Sequence, residues 1–244
     1  MAAKVLVAGA SGAIGRRLCP LLTCAGFSVY GTTRKNDAAG ALSAAGVTPI
    51  IVDVFDAARL SAAFTEVRPE IVVHQLTDLS GLFDPGKMEA ALARNARIRV
   101  EGTRNLARAA IHAGARRLIA QSIAWMYADG PQPHGEDDPL DMSATGTRAV
   151  SVAGVMALED AVLNSQTLEG IVLRYGHFYG PGTGFDTRGD VGSAHVHVDA
   201  AAHAALLAMT TGRRGAYNVA EPGAYVTSQK AERELGWNSA FRSR

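Results

Sequence analysis

The chain carries only two cysteines in 244 residues, has few aromatics at 6%, and shows no excess of either charge, with 24 Lys and Arg against 23 Asp and Glu. Each scarcity excludes something. Cys19 and Cys24 fit neither a disulfide framework nor a metal-ligand spacing, so both read as small apolar packing groups. No apolar run approaches the ~20 residues of a membrane span. The sequence passes from Lys4 directly into an apolar run, with no charged region, apolar region and cleavage site of a secretory leader, which leads us to expect a cytoplasmic protein. Balanced charge and scattered arginines argue against nucleic acid or an anionic membrane as partner. What the chain has instead is 26 glycines and 48% hydrophobic residues, enough for a sizeable core in which small side chains let helices sit close to a sheet.

Apolar and amphipathic runs alternate along the chain, the pattern of βαβ units around a parallel sheet. Strands are expected over 4–8, 28–33, 48–52, 71–74, 117–121, 170–175 and 216–219. Helices are expected over 13–25, 38–45, 57–66, 88–113, 149–165 and 200–209, the first kinked at Pro20. In the long fourth helix, Leu92, Ala96, Val100, Leu106 and Ala110 are placed on a buried side. Arg94, Arg97, Arg99, Arg104 and Arg108 read as a solvated or subunit-facing surface. No repeat or linker divides the chain, so residues 1–244 form one domain. Gly and Pro gather in loops near 123–148 and 180–195, at strand ends that border the ligand crevice of open α/β sheets and are therefore expected to wall the substrate.

The segment from Val5 to Arg16 is a short strand running into a glycine turn and then a helix. Gly9, Gly12 and Gly15 have separable uses there: a tight turn, close approach of backbone to a pyrophosphate, and close packing of the helix on the sheet. The helix N-terminus adds unpaired N–H groups and a positive dipole end. The segment reads as a dinucleotide site.

Together with Asp53-Val54, Val72–His74, Val100–Leu106, Leu173–Gly182 and His195–Asp199, in that order, the turn resembles the short-chain dehydrogenase/reductase superfamily, in its extended epimerase/dehydratase branch. The resemblance implies a doubly wound, Rossmann-type parallel sheet binding NAD or NADP, and a homodimer through the helices at 88–113 and 149–165. It implies that Gly9, Ser11, Gly12, Ala13, Ile14 and Gly15 hold the pyrophosphate and that Asp53 and Val54 contact the adenine. Leu76 would lie along the cofactor, the Tyr179-Gly180-Pro181 turn would approach the nicotinamide, and Tyr175 would be a further cofactor-binding residue. For Asp53, an N-cap of the following helix is the competing reading. Between Gly182 and His195, and between Glu221 and Thr227, the chain is shorter than the family pattern, so the C-terminal substrate-binding region is much reduced.

Discrimination between the two cofactors falls at the end of the second strand, where an acid would bind the ribose 2′-OH of NAD. Here the residues are Thr32-Thr33-Arg34-Lys35. Arg34 can grip a 2′-phosphate, with Arg16 and Lys35 as further charges, so NADP is favoured over NAD.

The superfamily's Tyr-x-x-x-Lys pair is missing: Ser151 and Val155 stand at its positions. Ser122 and Tyr127 are the remaining candidates for proton transfer, with Tyr175 and His177 next, although each hydroxyl could equally be satisfied by a structural partner. No metal site is expected, since His195, His197 and His203 lack further ligands at useful spacing. Glu136, Asp137, Asp138 and Asp141 read as a solvated turn. Two functions remain open: an NAD(P)-dependent oxidoreductase or epimerase/dehydratase acting on a small carbonyl or hydroxyl compound, or a non-catalytic protein that senses NADP.

Overall fold

The computed structural model describes residues 2–82, 84–189 and 193–243. Seven parallel strands form its centre: β1 (Lys4–Ala8), β2 (Ser28–Thr33), β3 (Thr48–Ile51), β4 (Ile71–His74), β5 (Arg117–Ile123), β6 (Glu169–Tyr175) and β9 (Gly215–Val219). Their order, β3-β2-β1-β4-β5-β6-β9, reverses direction beside β1, and this switch point opens a crevice at the strands' C-terminal ends. A separate parallel pair, β7 (His177–Tyr179) and β8 (His195–His197), continues from the end of β6.

Helices cover both faces because the central strands are apolar on both. Val5 and Val7 of β1 enter one core with α1 (Ala13–Cys24) and α7 (Val198–Thr210). Leu6 and Ala8 enter the other with α3 (Ala57–Val67), α5 (Thr103–His112) and α6 (Gly146–Leu163). Helix α2 (Asn36–Ala44) follows β2, α4 (Met88–Arg97) precedes α5, and α8 (Gln229–Leu235) ends in a left-handed cap at Gly236. Among the described residues, no helix is long and apolar enough to cross a membrane.

Several expectations require correction. The helix expected over 88–113 is broken by a π turn, Ile98–Gly102, between α4 and α5. The extra residue of an i→i+5 turn shifts the helical phase, so Arg99 turns inward at 8% exposure while Val100, assigned to the buried side, faces out at 44%. Of the two cysteines, Cys19 is buried, and that burial pushes its thiol up to about 12, but Cys24 is exposed. Helix α1 runs through Pro20, as its apolar spacing leads one to expect. The acidic loop is not merely solvated: Glu136 accepts from the Asn218 N–H at 2.7 Å, Asp138 pairs with His134 and Asp141 with Arg148. Only Asp137 of the four is exposed. Residues 190–192 of the second expected loop lie outside the described residues.

Candidate functional site

The glycine turn divides its labour in space. Gly9 has φ +91°, and a Cβ there would sit 2.7 Å from the Gln75 carbonyl oxygen, so the turn closes against the end of β4. A Cβ on Gly15 would lie 2.4 Å from the carbonyl oxygens of both Gly9 and Ala10, which seats α1 on the turn. Gly12, by contrast, faces open space apart from the Gly9 oxygen at 3.3 Å. Gly12 has no side-chain cap, and the first-turn N–H groups of Ala13 and Ile14 have no partner within the helix. An uncapped helix start behind an open glycine is a cradle for an anionic group.

A cleft runs from this turn across the strand ends. Ser11, Arg34, Asp53, Val54 and Leu76 line it, and Gln75 lies in its wall with both amide atoms buried and unpartnered. Asp53 does not cap α3. That role belongs to Asp56, which accepts from the Arg59 N–H, while Asp53 accepts from the Phe55 N–H at 2.9 Å within the cleft wall. Arg34 is exposed and makes no hydrogen bond or ion pair with the described residues. Arg16 instead braces the turn, its Nε donating to the Ser11 oxygen. A cleft with an open glycine and an uncapped helix start at one end fits a dinucleotide.

Tyr175 and Tyr179 lie elsewhere. Tyr175 is fully buried in the α1–α7 core, its hydroxyl donating to Ala201 and its phenol pushed up by burial. Tyr179 donates to Glu221 at 2.5 Å and meets His197 edge-on. The hydroxyls of Ser122 and Tyr127 belong to a buried network behind the cleft. Ser122, 1% exposed, donates to Glu159 Oε1 at 2.7 Å. Tyr127 donates to Asn218 Oδ1 at 2.7 Å and accepts from Arg174 Nη1 at 2.9 Å. Burial holds the Tyr127 phenol above its ordinary range, against the lowering effect of Arg174. The described lining of the cleft includes neither residue.

Sequence reasoning missed the inward Arg99. Among the described residues it has no hydrogen-bond or ion-pair partner, and burial lowers it to about 10, with Glu159 acting in the opposite direction, so it stays charged at neutral pH. His74, at the end of β4, is 1% exposed and lowered to about 4 by burial and by Arg99. Its Nδ1 accepts from the Leu76 N–H, which leaves Nε2 to donate to Thr103. Past the strand ends, exposed His177 stacks on Trp125 with centroids 3.8 Å apart. The other strand histidines have structural partners: His195 Nδ1 lies 2.9 Å from the Ser193 oxygen, and His197 caps α7. Among the described residues, no group of three metal-binding side chains converges.

The family model described as the NAD dependent epimerase/dehydratase family matches residues 5–192. A 3-diazoavenalumate denitrifying reductase from a Streptomyces species is 40% identical over 237 residues, covering 89% of this chain and 76% of that one. A dTDP-4-dehydrorhamnose reductase from Streptomyces griseus is 32% identical over 177 residues, covering 72% of this chain and 50% of that one. The fold is also that of dTDP-glucose 4,6-dehydratase from Streptomyces venezuelae, solved with NAD and TYD bound, at a TM-score of 0.77, 19% identity and coverage of 98% and 92% of the two chains. Both sequence relatives are named as reductases, and the alternative of a nucleotide sensor finds no support in them.

Proposed function

Because the chain belongs to the NAD dependent epimerase/dehydratase family, we propose that it is an NADPH-dependent reductase that removes the nitrogen from a small diazo compound. One observation carries this reading: the cleft keeps its glycine turn and strand-end lining, while α6 offers buried Ser151 and Val155 in place of a phenol and an amine. Reduction of a carbonyl develops an alkoxide that an acid must protonate as it forms. Loss of dinitrogen develops no alkoxide, so such a substrate has no use for the missing pair. When bound, the reduced nicotinamide would supply a hydride to the diazo carbon; one proton is taken up by that carbon, or by the conjugated oxygen of an aromatic diazo compound, as the C–N bond breaks and N2 leaves.

The residues divide as follows. The turn at Gly9, Ser11 and Gly12, with the N–H groups of Ala13 and Ile14, takes the pyrophosphate, and Gly15 seats the helix behind it. Asp53 and Val54 flank the adenine, Leu76 lies along the cofactor, and Arg34 with Lys35 takes the 2′-phosphate that distinguishes NADP from NAD. Tyr175 and Tyr179 support the nicotinamide end from behind, through the strand and loop they pin. Ser122 and Tyr127 act by fixing Glu159 and Arg174 at the strand ends, while His177 supplies the proton. The exposed apolar residues Met88, Val100 and Val150 on α4, the π turn and α6 form the contact of a cytoplasmic homodimer. The relative named for a diazo compound and for denitrification supports the choice of substrate.

The test is to incubate purified protein with NADPH and an aromatic diazo acid, following NADPH absorbance and evolved dinitrogen. Equimolar NADPH loss and gas release are expected. Reduction of aldehydes or ketones with no turnover of diazo compounds would overturn the proposal.

A further inference from the structure

Arg99 is a charged side chain, more than nine-tenths buried, with no hydrogen-bond or ion-pair partner among the described residues. Desolvating a guanidinium is unfavourable unless something compensates it, so a protein that buries one has a use for its charge. Three observations locate it. Its Cδ would lie 3.4 Å from a Cβ at Gly154, so the side chain runs along α6 where that helix has no side chain of its own. Its charge acts on Glu159, which holds Ser122 of β5, and on His74 at the end of β4. The side chain therefore packs against α6, and its charge is felt by Glu159 of α6 and His74 at the end of β4.

The neighbouring groups do not satisfy it. Both carboxylate oxygens of Glu159 are engaged by Arg174. His74 has hydrogen bonds at both ring nitrogens. The remaining 8% exposure of Arg99 is the part of the side chain that a ligand can reach.

We infer that Arg99 is an anion-recognition residue of the substrate pocket and that the substrate it selects is a carboxylate. A planar guanidinium accepts a carboxylate through two parallel hydrogen bonds, and such a pair supplies the partner that the protein withholds. This deepens the reductase reading and rests on it for the location of the pocket, but its test is one of binding and requires no turnover.

The probes are cinnamate and its uncharged methyl ester, titrated by calorimetry into the full chain saturated with NADP+. The wild type is expected to prefer the acid by about tenfold or more. Arg99→Met should abolish that preference and leave NADP+ affinity unchanged, and Arg99→Lys should retain part of it. Equal affinity for acid and ester, absence of binding by either, or a preference that survives in Arg99→Met would overturn the inference. Should Arg99→Met fail to fold, the acid-to-ester ratio of the wild type and its reduction in Arg99→Lys decide the matter. Selective carboxylate binding without diazo reduction would leave this site standing and refute the proposed reaction alone.

Discussion

Arg174 grips Glu159 through two hydrogen bonds, Nε to Oε1 at 3.0 Å and Nη2 to Oε2 at 2.6 Å, with both side chains 7% exposed. The pair joins β6 to α6 and, through Ser122 and Tyr127, reaches β5 and the loop after it. Burial opposes charge on Arg174, but the hydrogen bonds and charge of Glu159 outweigh it and the net shift is upward. Truncating one member leaves an uncompensated buried charge. Glu159→Ala is therefore expected to lower stability by about 3–5 kcal/mol, measured by denaturant unfolding at neutral pH, with Glu159→Gln intermediate. A loss below about 1 kcal/mol, the range of exposed pairs, would show that the network does not hold the strand ends.

The two glycines of the turn should separate folding from binding. Gly15→Ala places a methyl against two backbone oxygens that cannot move independently, a loss of about 3 kcal/mol or more. Gly12→Ala meets only one oxygen, from a φ of −76° that any residue adopts. It should change stability by less than about 1 kcal/mol while weakening NADPH binding by about tenfold or more. Unfolding curves and cofactor titrations on both variants check the contrast; equal effects on cofactor binding at equal stability would refute it.

Protonation of His74 should make the fold acid-sensitive. The folded value is lowered to about 4 from an ordinary 6.5. Above pH 6.5 the residue is neutral in both states and its stabilising contribution is complete. As pH falls from 6.5 toward 4 the unfolded chain takes up the proton and the folded chain does not, so stability drops. The full difference corresponds to about 3 kcal/mol. His74→Asn should flatten this part of the pH profile of the unfolding free energy, and an unchanged slope would remove His74 as its source.

Cofactor choice is expected to rest on Arg34. Arg34→Ala should weaken NADPH binding by about ten- to a hundredfold, the value of a charge-assisted hydrogen bond, while leaving NADH binding nearly unchanged. Titration of both cofactors into both proteins measures the ratio. Equal losses for the two would assign Arg34 a role unrelated to the 2′-phosphate.

How far the sequence reveals this protein depends on the range of the interactions involved. All seven sheet strands begin and end within about two residues of where apolar runs place them, because a strand buried on both faces leaves little choice. The glycine turn is equally legible, since its demands fall within a few consecutive residues. Strands β7 and β8 and helix α8 are too short to carry a pattern. The partners of Ser122 and Tyr127 lie 37 and 91 residues away, so a local motif can propose those hydroxyls for chemistry without seeing that each is already engaged. Arg99 was hidden by periodicity itself, because a regular 3.6-residue repeat through 88–113 assigns it to solvent.

That break in the repeat makes the interval between α4 and α5 sensitive to length in a way its composition does not reveal. Removing one residue from 98–102 would permit an uninterrupted α-helix, while most substitutions there would leave the count intact. A scan of single-residue deletions should therefore injure this short stretch more than a scan of exchanges does. Read the other way, inserting a single codon into an ordinary helix would suffice to carry a surface arginine indoors, a short mutational route from one pocket chemistry to another.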